Sequence, residues 1–133
     1  MTSAPGKVRT SRALCILVFA GCTNALLASQ ASAHHSYAMF DPTKQLTLRG
    51  NVREFQWTNP HCFIQIQVQR SDATQEWSIQ MDNPQALYRR GWRPGTLKTG
   101  DKLTVVIHPT RDGSHSGRYV SGIGSDGKPL IDD

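Results

Sequence analysis

An all-β domain with one short helix, folded as a small five- to six-stranded OB-like Greek-key barrel, is what residues 34–133 predict. Three observations carry this expectation. Apolar and polar residues alternate in several short runs, the period changes once to a helical one between the third and fourth runs, and Gly or Pro recurs at short intervals.

Leu46, Leu48, Gly50 and Val52 share one parity and Phe55 and Trp57 the other, so a long first strand bends or bulges near Arg53 and Glu54. Thr58-Asn59-Pro60 turns the chain, and Ile64, Ile66 and Val68 then alternate with Gln65, Gln67 and Gln69 in a second strand. Asp72 to Gln75 closes a hairpin into a third strand, where Trp77, Ile79 and Met81 alternate with Ser78 and Gln80. Asn83 is placed to cap a helix that begins at Pro84, where a missing N–H costs nothing, and Gly91 stops it after about two turns. Turns at Pro94-Gly95 and Thr99-Gly100-Asp101 lead to a fourth strand, with Leu103, Val105 and Ile107 on one face and Thr104, Val106 and His108 on the other. Past the polar loop Pro109 to Gly117, Arg118 to Ile123 reads as a fifth strand, and Asp126-Gly127 turns back into a last short strand, Lys128 to Ile131.

The first 33 residues read differently, as a secretory signal peptide. Lys7, Arg9 and Arg12 precede the apolar run Ala13 to Gly21, and Ala31-Ser32-Ala33 satisfies the small-residue cleavage rule. The apolar stretch is interrupted by Thr23 and Asn24 and is shorter than the ~20 residues a bilayer span needs, so no integral membrane segment is expected after processing. Two other outcomes are open. Phe19-Ala-Gly-Cys22 resembles a lipobox, which would lipidate Cys22, and cleavage after Ala31 would begin the chain Ser32-Ala33-His34. The expected location is the periplasm or outside the cell, in the form of a single domain, residues 34–133.

Dividing the chain there changes its charge. The whole sequence carries +5 with a pI of about 9.5, but residues 1–33 hold three bases and no acid. The remaining 12 bases and 10 acids give only +2, too weak a balance for a phosphate backbone, so nucleic acid is not an expected partner. Cys15 and Cys22 lie in the signal, which leaves Cys62 alone and rules out an internal disulfide in the mature domain. As a lone cysteine beginning an apolar strand, Cys62 reads as a small core residue.

At Ala33-His-His-Ser36, Phe40-Asp41, Trp57-Thr-Asn-Pro-His61, Leu87-Tyr-Arg-Arg-Gly-Trp92, Gly100-Asp101 and His108-Pro-Thr-Arg-Asp-Gly113, the chain resembles a family of small exported bacterial proteins known as domain of unknown function 6152. The resemblance covers essentially all of the mature chain. It implies export and a compact β-rich domain, and it brings no activity. In the family pattern two glycines form a pair after Asp112-Gly113, whereas here His115 and Ser116 precede a single Gly117, which makes His115 the weakest functional candidate.

All five histidines, His34, His35, His61, His108 and His115, fall after the cleavage site, at strand ends or in connections. Imidazole is the commonest side-chain ligand for copper, zinc and nickel, so His34, His35, His61 and His108 are candidate metal ligands. Their spacing matches no H-E-x-x-H, C-x-x-C or H-x-H motif, so only the fold can bring the rings together. An N-terminal His34 offers its α-amine and ring nitrogen to one ion, and His61 or His108 would complete a T-shaped brace suited to copper. The bland alternative treats His34 and His35 as a terminus, His61 as a strand-start residue and His108 as a strand exit.

The expected function is therefore an exported binding protein that holds copper or another transition metal. The alternative is a cell-envelope module that binds a protein or glycan on an uncharged face of Gln65, Gln67, Gln69, Ser78 and Gln80, with no metal role. Arg89, Arg90 and Arg93 form the one basic cluster, where Tyr88 and Trp92 offer stacking surfaces and the helix C-terminus itself accounts for the cations. No catalytic constellation is evident. Ser36 and Ser78 lack placeable partners, Gly122-Ile-Gly124 is too short for a phosphate loop, and about 100 residues leave little room for the substrate cleft of a copper oxidase.

Overall fold

The computed structural model of the protein describes residues 1–2 and 37–131. The expected signal segment with its candidate cleavage positions, Cys22, His34 and His35 lie outside the described residues. Contacts divide the chain into two units, Met1–Ala38 and Met39–Asp133, and the barrel belongs entirely to the second.

Its elements are β1 (Leu46–Gln56), β2 (Phe63–Gln69), β3 (Thr74–Gln80), α1 (Pro84–Arg89), β4 (Lys102–Pro109) and β5 (Ser116–Ile123). The strands close into a barrel in the order β1-β2-β3-β5-β4. This is the small all-β barrel with one helix that the periodicity predicts. β1 serves two neighbours: Leu46–Asn51 pair with β4 and Asn51–Gln56 with β2. The change of partner coincides with a register shift between Val52 and Glu54, at the expected bend. β3 and β5 run parallel, a pairing that needs a long crossover, and α1 with β4 supplies it.

Three features differ from the expectation. Lys128 to Ile131 does not form a sixth strand; it makes one isolated bridge, Ile123↔Pro129, with the Gly124 N–H donating to the Lys128 carbonyl at 2.9 Å and the Leu130 N–H to the Gly122 carbonyl at 2.8 Å. Pro129 has no N–H, so a ladder cannot propagate through it. A second register shift, between Val106 and Ile107, breaks the β4–β5 alternation opposite Val120. β5 also begins earlier than Arg118, because Ser116 already pairs with Ser78.

Local signals explain the helix. The Asn83 side chain accepts the Ala86 N–H at 2.9 Å, Pro84 occupies the first turn, and Gly91 leaves the helix at φ 102°. Alternate strand residues, among them Leu48, Ile64, Ile66, Ile79, Val105 and Ile107, fill the barrel, and Leu87 and Trp92 are fully buried with them. Trp92 meets Phe55 at 5.9 Å and Tyr119 edge-on at 5.7 Å, and Phe55 meets Trp57 edge-on at 5.7 Å. One aromatic chain thus joins the end of β1 to β5 through Trp92, just past α1, adding edge-to-face attraction to area burial.

Gly50 sits where β1 crosses β2, and a Cβ there would collide with the Gln67 carbonyl oxygen and its carbon. Neither is a flexible side-chain tip, so the strands would have to part. We expect Gly50→Ala to destabilise the fold by about 2 kcal/mol, seen as a fall in Tm of roughly 10 °C by circular dichroism. An unchanged Tm would mean that β1 and β2 do not approach this closely.

Candidate functional site

The site begins with a strap, residues 39–44, laid along the end of β4. Phe40 bridges Thr110, the Asp41 N–H donates to the Pro109 carbonyl at 2.8 Å, and the Arg111 N–H donates to the Met39 carbonyl at 2.9 Å. Asp41 holds the strap's own turn: its carboxylate accepts the Thr43 hydroxyl at 2.6 Å and the Thr43 N–H at 3.1 Å. Lys44 lies 3.4 Å and Arg111 3.9 Å from the same carboxylate. The Thr43 hydroxyl, then its N–H, and then the two cations hold the Asp41 carboxyl below the usual carboxylate range.

Where the strap meets β4, the Nδ1 of His108 lies 2.7 Å from the Lys44 carbonyl oxygen. A carbonyl only accepts, so Nδ1 carries the proton and donates it, and in the neutral ring Nε2 keeps its lone pair. Metal-binding histidines are held in this way, with the second nitrogen bonded to a carbonyl that sets tautomer and orientation.

Strand register places the other candidates. His108 pairs with Arg118, Arg118 with Gln80, and Gln80 with Phe63, so four residues form one row across β4, β5, β3 and β2. Their neighbours Ile107, Tyr119, Ile79 and Ile64 are buried in the core, so the row faces outward. His61 lies two residues before Phe63. Three interstrand steps of about 4.8 Å set the backbone of Phe63 roughly 14 Å along the wall from that of His108. The row between them is filled. Arg118 donates to one Asp82 oxygen at 3.1 Å, Arg90 donates to the other at 2.8 Å, and Gln80 is buried.

Among the described residues no group of three or more His, Cys, Asp or Glu side chains is placed to hold a metal ion. His108 stands on β4 at one end of the row and His61 just ahead of β2 at the other, with Arg118 and Gln80 between them. His61 follows the cis Asn59–Pro60 bond, and its carbonyl accepts the Thr58 hydroxyl at 2.8 Å. Cys62 is fully buried, and burial pushes its thiol up from the ordinary value of 9.0. His115 stacks on Trp77 at 4.8 Å, 24° from parallel, and its carbonyl accepts the Ser78 N–H, which makes it a cover for the core.

The glutamine face departs from the expectation of an uncharged surface. Glu76 shares its parity on β3, accepts from Gln67 at 3.4 Å and pairs with Arg53 at 2.7 Å. The amides are turned on one another: Gln65 Nε2 donates to Gln56 at 3.0 Å and to Ser78 at 3.1 Å, and Gln69 accepts the Thr74 hydroxyl at 2.8 Å. Nor does the arginine cluster offer a stacking site. Trp92 is fully buried, Arg93 lies 3.8 Å over the Tyr88 ring and donates to the Tyr88 and Trp92 carbonyls, and Arg90 serves Asp82. The Asp82 clamp carried no motif, and the one signal for the strap was the Phe40-Asp41 pair within the family resemblance.

The sequence profile of the Family of unknown function (DUF6152) matches residues 23–119. The chain belongs to this family. Compared with curated proteins and with solved structures, it finds no match. The DUF6152 match extends over β1 to β4 and into β5, so the row, the clamp and His108 all lie within the family domain. Among the described residues no helix is long and apolar enough to cross a membrane.

Two pH effects follow. Asp41 is depressed in the folded state, so its contribution is present above the unfolded value near 4 and is lost as pH falls through the folded value. Denaturant midpoints between pH 5 and 2 should fall for the natural sequence, and Asp41→Asn should start lower and fall less. Cys62 is raised, so its contribution is complete below about pH 9 and declines as pH rises through the folded value. Native Cys62 should resist iodoacetamide at pH 8 and react at once in denaturant; rapid native alkylation would contradict its burial.

Proposed function

We propose that this DUF6152 protein is exported and binds a transition metal, copper foremost, through the α-amine and imidazole of His34 at the processed N-terminus and the Nε2 of His108. The observation that supports this reading, and favours His108 over His61, is the 2.7 Å contact between His108 Nδ1 and the Lys44 carbonyl. It holds the ring in the tautomer whose Nε2 can coordinate, without needing a carboxylate. Amine and imidazole nitrogens suit copper, and the three-nitrogen set leaves the barrel's own ion pairs intact.

The role is one of binding, since about 100 residues leave little room for a substrate cleft.

Calorimetric copper titration of protein beginning at His34 tests the reading. Affinity should fall at least tenfold when a methionine precedes His34, and again in His108→Ala, while His61→Ala keeps the original affinity. Equal affinity with and without the extra methionine would remove the α-amine from the site. Intact mass showing a lipidated Cys22 as the first residue would end the proposal.

A further inference from the structure

We propose a second site, independent of the metal: the outer wall of β1 with its neighbours β4 and β2 binds a carboxylated glycan. Two adjoining recesses mark it. One, of about 360 Å³, is lined by Arg49, Asn51, Lys102, Thr104 and the turn Gly124-Ser125, and the other, of about 290 Å³, by Thr47, Arg49, Gln69 and Arg70. Arg49 belongs to both. Neither recess is lined by an acidic or an aromatic side chain.

The charges there are uncompensated. Lys44, Arg53, Arg90, Arg111, Arg118 and Lys128 each have a carboxylate within 4 Å, the shortest at 2.7 Å and the longest at 3.9 Å. Arg49 and Lys102 have no ion pair among the described residues, and Arg70 makes only a 3.5 Å bond to the Gln75 amide. Asp101, next to Lys102 in sequence, is turned to the Lys98 N–H at 2.9 Å, and Asp126 pairs with Lys128. Arg49 pairs with Thr104 and Asn51 with Lys102, so Arg49 and Lys102 are diagonal neighbours about 7–8 Å apart. Like charges so placed repel each other, and an anion spanning them relieves that repulsion.

The lining selects the kind of anion. An arginine fork matches a carboxylate in two parallel bonds, and Asn51, Thr47, Thr104 and Ser125 offer neutral hydrogen bonds between the cations, as sugar hydroxyls require. A single-stranded nucleic acid would stack its bases on aromatic side chains, which neither recess has. A membrane surface would need exposed apolar side chains beside the bases, and Leu48, Val68 and Leu103 in these linings are buried.

The test uses the processed chain without added metal, which separates it from the copper reading. In calorimetric titration an oligogalacturonate should bind in low salt and weaken as salt rises, and maltohexaose, its uncharged counterpart, should not bind. Arg49→Glu and Lys102→Glu should each weaken binding at least tenfold, Arg49→Gln less, with Tm unchanged. Lys98→Glu, which makes the same two-unit charge change outside the recesses, should weaken it less than twofold. Equal binding of tripolyphosphate would show that the wall selects charge alone and would overturn the glycan assignment. Absence of oligogalacturonate binding, or binding indifferent to Arg49 and Lys102, would overturn the site.

Discussion

Everything in this barrel depends on β1 pairing with two strands at once. A strand of 11 residues that gives its first half to β4 and its second to β2 must turn between them, and the register shift at Arg53 is that turn. Gly50 is the companion requirement, since the Gln67 carbonyl occupies the space a side chain would need. Once β1 is bent, β3 and β5 meet in parallel and no long sheet edge is left open, so a domain of modest size buries a core without a disulfide. The aromatic chain from Trp57 to Tyr119 seals one end of that core.

Closure also decides where chemistry can sit. Because the barrel interior is filled by side chains, every candidate polar group is displayed on the outer wall or at a rim. The row from Phe63 to His108 exists because four strands are in register, and Asp82 neutralises two arginines at its edge. That clamp ties up the row between Phe63 and His108 in compensated charge. The strap does the opposite for His108, giving its ring one fixed nitrogen and leaving the other available.

The strands and helix were legible because alternation and capping are local. Asn83, Pro84 and Gly91 announce a helix whatever surrounds it, and the parity change at Arg53 can be counted directly. Contacts made over long separations were not legible. The His108–Lys44 bond joins residues 64 apart, and the Arg118–Asp82 pair joins residues 36 apart. Residue type alone also overstated the glutamine face, because a row of amides looks like a binding surface until Glu76, Gln56 and Thr74 are found to satisfy it. The missing sixth strand has a different cause: Asp126-Gly127 turns as expected, but Pro129 then withholds the donor a ladder needs.

The charge arithmetic acquires a physical sense from this arrangement. The formal +5 is unevenly spread, since residues 1–33 hold three bases and no acid while residues 34–133 are nearly balanced. Balance in the sum conceals segregation on the surface: acids are spent at the strap, the clamp and the β2–β3 face, which leaves Arg49, Arg70 and Lys102 together without one. On the proposed reading the two functions divide along the same line. Neutral nitrogen donors would gather a soft cation at the strap end of β4, where Asp41 offsets the nearby bases, and unpaired cations would gather carboxylates on β1. A metal site is favoured where positive charge is already compensated and an anion site where it is not.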